Sequence, residues 1–138
     1  MLTADWKKHL EGNPTVYFAT TDGATPHVRP LTLIHKDNEI WFATCSSDHK
    51  LNEIENNAQC EICLVVNDPF DPQGSIRLQG GAKIVLDDKI RKKIGPHVPF
   101  FPLLWESYTD PNFCLIRFDA TKGTYHDASH NTYCELNI

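Results

Sequence analysis

The sequence has no apolar run near the roughly 20 residues that a membrane-spanning helix needs. Its opening, Met-Leu-Thr-Ala-Asp-Trp-Lys-Lys-His-Leu, also lacks the apolar core of a secretory signal. A cytoplasmic location and no membrane partner are therefore the expectation. Nor is there an excess of positive charge. Lys and Arg number 13 against 18 Asp and Glu, for a formal net charge of −5. That balance argues against a broad nucleic-acid face and leaves room for a small positive pocket. The cysteines number 5, which cannot all pair, and reduced thiols are expected. Also missing is the helix after each strand that a doubly wound parallel sheet requires. What is present is a chain of 138 residues, 41% hydrophobic and 22% charged, the size and composition of one globular domain.

Short apolar runs separated by turn residues dominate the chain. Residues 3–11 have the spacing of a short amphipathic helix, with Thr3 as N-cap and Trp6 and Leu10 on one face. A strand over 16–20 leads through Asp22-Gly23, a strong hairpin signal, into a second strand over 26–35. Pro30 interrupts that strand and requires an edge, a bulge or a strand end there. A third strand covers 40–44. A helix then starts near Ser47 or Asp48, turns Leu51 and Ile54 inward, and stops at Asn56-Asn57, where asparagine tolerates a left-handed cap. A fourth strand covers 59–66, and 67–74 is loop chemistry. The fifth strand, 75–86, contains Gly80-Gly81, the mark of a bulge or of close backbone approach.

Asp87-Asp88 caps a short helix with Ile90 and Ile94 inward and Lys89, Arg91, Lys92 and Lys93 outward as a solvated face. Gly95-Pro96 ends it. The segment 98–105 is unusually apolar for a connection. It reads as a core-covering turn, a subunit contact or a lid, and Phe100, Phe101 and Trp105 are its candidate contacts beside ordinary core packing. A sixth strand covers 113–118, followed by a piece at 123–125 and a polar tail. Six strand signals with an early hairpin and small intervening helices point to an antiparallel barrel.

Two groups of residues invite chemistry. Cys60 and Cys63 have CxxC spacing, and His126 and His130 have HxxxH spacing. The two pairs lie too far apart for a compact zinc finger, and Cys63 facing a core explains the strand without a metal. No metal is expected. The stronger group is Thr44, Ser46, Ser47, His49 and Lys50, all at a strand-to-helix junction. A helix start offers unpaired N–H groups and a positive dipole end, and hydroxyls with a lysine suggest a phosphate. Alone, a Ser-Ser-Asp run is ordinary capping and Arg29 an ordinary strand residue.

Order and spacing say more. Residues 16–20, the run Pro26-His27-Val28-Arg29-Pro30-Leu31-Thr32-Leu33, Trp41-Phe42-Ala43-Thr44, Lys50, Arg77-Leu78-Gln79-Gly80-Gly81-Ala82 and 110–118 together resemble the pyridoxamine 5′-phosphate oxidase-like, FMN-binding split-barrel family. The resemblance covers most of the chain. It implies a mainly β fold, a six-stranded antiparallel split β-barrel of Greek-key type with short flanking helices. It implies FMN, with Arg29 and Lys50 on the phosphate and Thr44, Ser47 and His49 beside them. Pro30, Leu31 and Thr32 would line the isoalloxazine through backbone groups, and Ser75 falls where some members place a glutamine near the flavin. His49 stands where arginine is common. Ile34 stands where the oxidase has lysine, and the oxidase's C-terminal arginine and histidine are missing, so pyridoxamine phosphate oxidation itself is not expected. The resemblance further implies a homodimer with the flavin at the subunit interface. The expected activity is that of a flavin-dependent oxidoreductase on a small molecule. The rival classes are a non-catalytic flavin-binding, electron-transfer or stress protein, and the same barrel around haem or a deazaflavin.

Overall fold

The structure, a computed structural model, describes residues 5–66 and 74–138. The Thr3 cap and most of the 67–74 loop lie outside the described residues. Trp6–Leu10 forms a single 3₁₀ turn, shorter and tighter than the helix expected, with both named apolar residues buried. The strands are β1 (Thr15–Thr21), β2 (Pro26–Thr32), β3 (Ile34–Lys36), β4 (Glu39–Cys45), β5 (Gln59–Val65), β6 (Ser75–Val85), β7 (Phe113–Asp127) and β8 (Thr132–Glu135). Among the described residues they are joined by the α-helices α1 (His49–Asn56), α2 (Asp88–Ile94) and α3 (Phe101–Leu104), with a 3₁₀ turn over Gly95–His97.

The strands form one sheet in the order β2-β1-β5-β6-β7-β4-β3, with β8 added against β7 and every pairing antiparallel. β2 passes into β3 through Leu33 alone, so one short piece of chain supplies both ends of that order. The sheet therefore curls into a half-barrel. This differs from the expected single strand over 26–35. Leu33 is fully buried and its N–H donates to the Pro14 carbonyl at 2.9 Å, one step beyond the Thr15–Thr32 pair. Pro14 has no N–H to return the bond, and the Asn13 side chain donates to the Leu33 carbonyl instead, so the β1–β2 ladder ends there. The pieces at 113–118 and 123–125 are one 15-residue strand, and the polar tail contributes β8.

Burial alternates with period two along β1, β5 and β6, as it must when one face lines a core. Phe18, Phe42, Ile62, Leu78, Phe118 and Tyr125 meet inside the curl. A second core lies on the opposite face of β4 and β7, where Trp41, Phe113 and Leu115 pack against Ile94, Val98, Phe101 and Trp105. β4 is covered on both faces, which explains its uninterrupted apolar run.

Several local expectations change. Cys60, not Cys63, faces the core, and the two lie on opposite sides of β5, so this pair cannot converge on one ion. Asn57 ends α1 with extended backbone (φ −148°), its N–H held by the Glu53 carbonyl. Arg91 is buried rather than solvated: Nη1 donates to the carbonyls of Asp110 (2.8 Å) and Phe113 (3.0 Å), and Nη2 to Asp88 (2.6 Å). Phe101 and Trp105 are core residues of their own chain, whereas Leu103 and Leu104 are exposed.

Gly80 sits where β6 and β7 approach closely, opposite a bulge at Thr121 of β7. The ladder to β7 slips between Gln79 and Gly80, and a Cβ on Gly80 would sit 2.0 Å from the Asp119 carbonyl oxygen. That neighbour is backbone and cannot turn away. Gly80→Ala is expected to destabilise the fold by about 1–3 kcal/mol, the usual cost of overpacking, or more. Urea unfolding measures it, with Gly81→Ala as control because a Cβ there meets nothing within 4 Å.

Candidate functional site

The site assembles where β2, the end of β4 and the start of α1 converge. Among the described residues β2 is an edge strand, so half of its backbone groups face away from β1 without a ladder partner there. Alternation sends His27, Arg29 and Leu31 toward the inner side, across from Thr20, Phe18 and Val16, and sends Val28 and Pro30 outward. Pro30 is tolerated because the strand is an edge. Leu31 packs on the inner core, leaving its backbone for any ligand.

Arg29 is fixed by its neighbours on β1 and α1. Its Nη1 donates to Thr20 Oγ1 at 2.7 Å and to the Phe18 carbonyl at 3.3 Å, and Nη2 lies 3.8 Å from Glu53 Oε2. The Thr20 hydroxyl donates on to Glu53 Oε2 at 3.0 Å, while Glu53 Oε1 meets His27 Nδ1. The His27 bond holds the Glu53 carboxyl below its usual range, against the opposing effect of burial.

Lys50 is fixed from below and above. Its ammonium donates to Thr44 Oγ1 at 2.7 Å and to Asp48 Oδ2 at 2.8 Å, and the side chain is only 3% exposed. Asp48 is the N-cap of α1, its Oδ1 accepting from the Lys50 N–H at 3.0 Å. Burial pushes the Asp48 carboxyl up, but the two bonds from Lys50, with the charges of Lys50 and Arg29, bring it below its ordinary value. Asp48 thus lies in the field of both cations. Ser46 anchors the loop before the helix, its N–H donating to the Asn112 carbonyl (3.1 Å) and its hydroxyl to Asn112 Oδ1 (3.0 Å).

The structure therefore brings Arg29, Thr44 and Lys50 to one corner of the barrel, with Ser47 and His49 exposed at its rim. Pro30 and Thr32 share the outer face of β2. Ser75 is not in this group. It starts β6 opposite Val65 and His126, on the outer face of the sheet and three residues along from Leu78, which continues the Arg29 row. Sequence reasoning missed Asp48 as an ion-pair partner and Thr20 and Glu53 altogether, and took His27 for a surface histidine within the strand motif. Only Asp48 carried a signal, as a capping acid two residues before a lysine. The buried Cys60 and Cys114 thiols are pushed up to about 11 by burial, which keeps them neutral and unreactive near this charge cluster.

A family model described as pyridoxamine 5′-phosphate oxidase matches residues 2–127, nearly the whole chain. The chain belongs to the pyridoxamine 5′-phosphate oxidase-like family. General stress protein 26 of Bacillus subtilis (strain 168) is 25% identical over 120 residues, 87% of this chain and 84% of that protein. Among solved structures, a protein related to general stress protein 26 from Clostridium acetobutylicum superposes with a TM-score of 0.77 at 18% identity, covering 99% of this chain and 94% of that one. A NimC/NimA family protein from the same organism gives 0.75 at 21% identity, also covering 99% and 94%. These structures establish the shared split-barrel fold. Members of the family typically bind a flavin (FMN) or F420. Among the described residues, no helix is long and apolar enough to cross a membrane.

Proposed function

We propose that the protein is a cytoplasmic FMN-binding flavoprotein, an oxidoreductase that acts on a small molecule or a redox partner, and that it works as a homodimer. The observation that carries the reading is the placing of Lys50, held by Asp48, within the electrostatic reach of Arg29, beside the edge strand β2. That donor set fits a phosphorylated flavin. A guanidinium and an ammonium match a phosphate, and unpaired peptide groups on β2 match the polar edge of an isoalloxazine. Bound flavin would supply the hydride or electron chemistry, and the protein would hold, orient and shield it. Thr44 and Thr20 keep the two cations in place from beneath. Pro30 and Thr32 present the β2 edge.

The dimer is supported by the outer face of the sheet. Tyr17, Val28, Val65 and Tyr133 are all about half exposed or more on neighbouring strands, and Ser75 lies among them. A second copy on this face would cover them and could bring its own Ser75 toward the flavin. The five free thiols fit a reducing compartment.

The test is a titration of the purified protein with FMN, followed by optical spectra and size-exclusion chromatography. A flavin spectrum that travels with a dimer is expected. A protein that stays colourless after FMN is added overturns the reading. Reduction of the bound flavin by NAD(P)H or a reductase, with reoxidation by a small molecule, separates an enzyme from a flavin carrier. The second reading, F420 in place of FMN, is favoured by the family's range of cofactors, and the spectrum of the bound cofactor distinguishes the two.

A further inference from the structure

The ammonium assigned to the phosphate already carries an anion. Lys50 is 3% exposed, with the buried Thr44 hydroxyl beneath it and the Asp48 carboxylate, itself 41% exposed, on its solvent side. An incoming phosphate therefore meets Asp48 before it meets Lys50. Arg29 is matched too, by Glu53 at 3.8 Å. With two cations set against two carboxylates, this corner has little net charge to offer a nearly dianionic phosphate monoester. Something has to yield. Glu53 is the better-fixed carboxylate, held by Thr20 and His27 as well as Arg29. Asp48 is the exposed one. Its hold on Lys50 Nζ uses Oδ2, while Oδ1 caps the helix at 3.0 Å, so the first bond can be given up and the cap kept.

We propose that Asp48 is an internal competitor for the phosphate. It occupies Lys50 in the ligand-free chain and leaves the ammonium when a phosphorylated ligand binds, and so it sets how tightly that class of ligand is held. This rests on the FMN reading above and extends it by naming a residue that tunes specificity. The displaced carboxylate is exposed enough to take up water in exchange. Competition of this kind penalises the phosphate group alone and leaves the ring system of a ligand unaffected.

Asp48→Asn tests it, because asparagine caps a helix as well as aspartate and removes only the charge. The full chain, wild type and variant, is titrated with FMN, riboflavin and inorganic phosphate, and thermal unfolding is followed in each. Asp48→Asn is expected to bind FMN about 3–10-fold more tightly, the worth of removing one partly screened charge, and to bind riboflavin as before. Asp48→Ser, also a good cap, should show the same contrast and serves if the asparagine variant folds poorly. Unchanged or weaker FMN binding in a folded variant overturns the proposal and makes Asp48 a residue that positions Lys50. An equal gain for FMN and riboflavin overturns it as well. If neither protein binds FMN but phosphate raises the Tm of the variant more than that of wild type, the competition stands and the FMN reading falls. If neither FMN nor phosphate acts on either protein, both fall.

Discussion

Lys50→Met is expected to leave the fold intact and to weaken FMN binding by about 1–3 kcal/mol, some 5–150-fold. Methionine keeps the length and apolar stem of the side chain and removes the ammonium. The stem stays packed, so no cavity of the kind left by alanine opens. Asp48 loses a partner but is 41% exposed and regains water, and the Thr44 hydroxyl can turn its proton to another acceptor. Stability in the absence of ligand should therefore change by less than about 1 kcal/mol, as replacing a buried ion pair by an apolar group of similar volume often does. Binding should respond differently, because a phosphate deprived of its ammonium retains Arg29 alone. Lys50→Ala should lose the same affinity and additional stability. Flavin fluorescence on titration reads the affinity, and urea unfolding of the apoprotein reads the stability. Equal affinity of Lys50→Met and wild type would remove Lys50 from the phosphate site.

Features of the fold and the site were legible in the sequence where the physics that makes them is local. The Asp22-Gly23 turn, the close backbone approach at Gly80 and the capping at Asp48 and Asp87 follow from residues acting on their own neighbourhood, and each stands where the sequence put it. The break at Leu33 was hidden because a leucine inside an alternating run looks like strand. What ends the ladder there is Pro14 on the neighbouring strand's lead-in, which accepts from the Leu33 N–H but has no N–H to give back. β8 was hidden because an edge strand needs no apolar face. Arg91 looked like the solvated neighbours beside it, yet the carbonyls of Asp110 and Phe113 draw it in from another part of the chain. The site divides in the same way. Arg29 and Lys50 stood out through family-like order and spacing, whereas Glu53 and His27 meet only when α1 folds over β2, and no spacing announces that.

The apolar segment at 98–105 leads to the largest expected effect on stability. Trp105→Ala should cost about 3–5 kcal/mol, the range for removing a buried Trp or Phe, out of a total of roughly 5–15 kcal/mol for a domain. Trp105 is 3% exposed and its ring centre lies 4.8 Å from that of Phe113 and 5.4 Å from that of Phe101. Its indole N–H donates to the Asn112 carbonyl at 3.0 Å, the same carbonyl that receives the Ser46 N–H. The second core and the loop leading to Asp48 and Lys50 are thus tied through one peptide group. The variant should lose some FMN affinity along with stability. If Trp105 were a contact with a partner subunit, its loss would lower Tm only through mass action and the deficit would depend on protein concentration. A core residue predicts a deficit independent of concentration. Leu103 and Leu104 supply the contrast, because at 84% and 54% exposed they contribute little to their own chain. Replacing both by serine should leave the unfolding free energy of the monomer within about 0.5 kcal/mol of wild type, as surface changes usually do. A dimer that dissociates in that double variant, with Trp105 intact, would place the subunit contact on this exposed pair and leave the buried aromatics to the core.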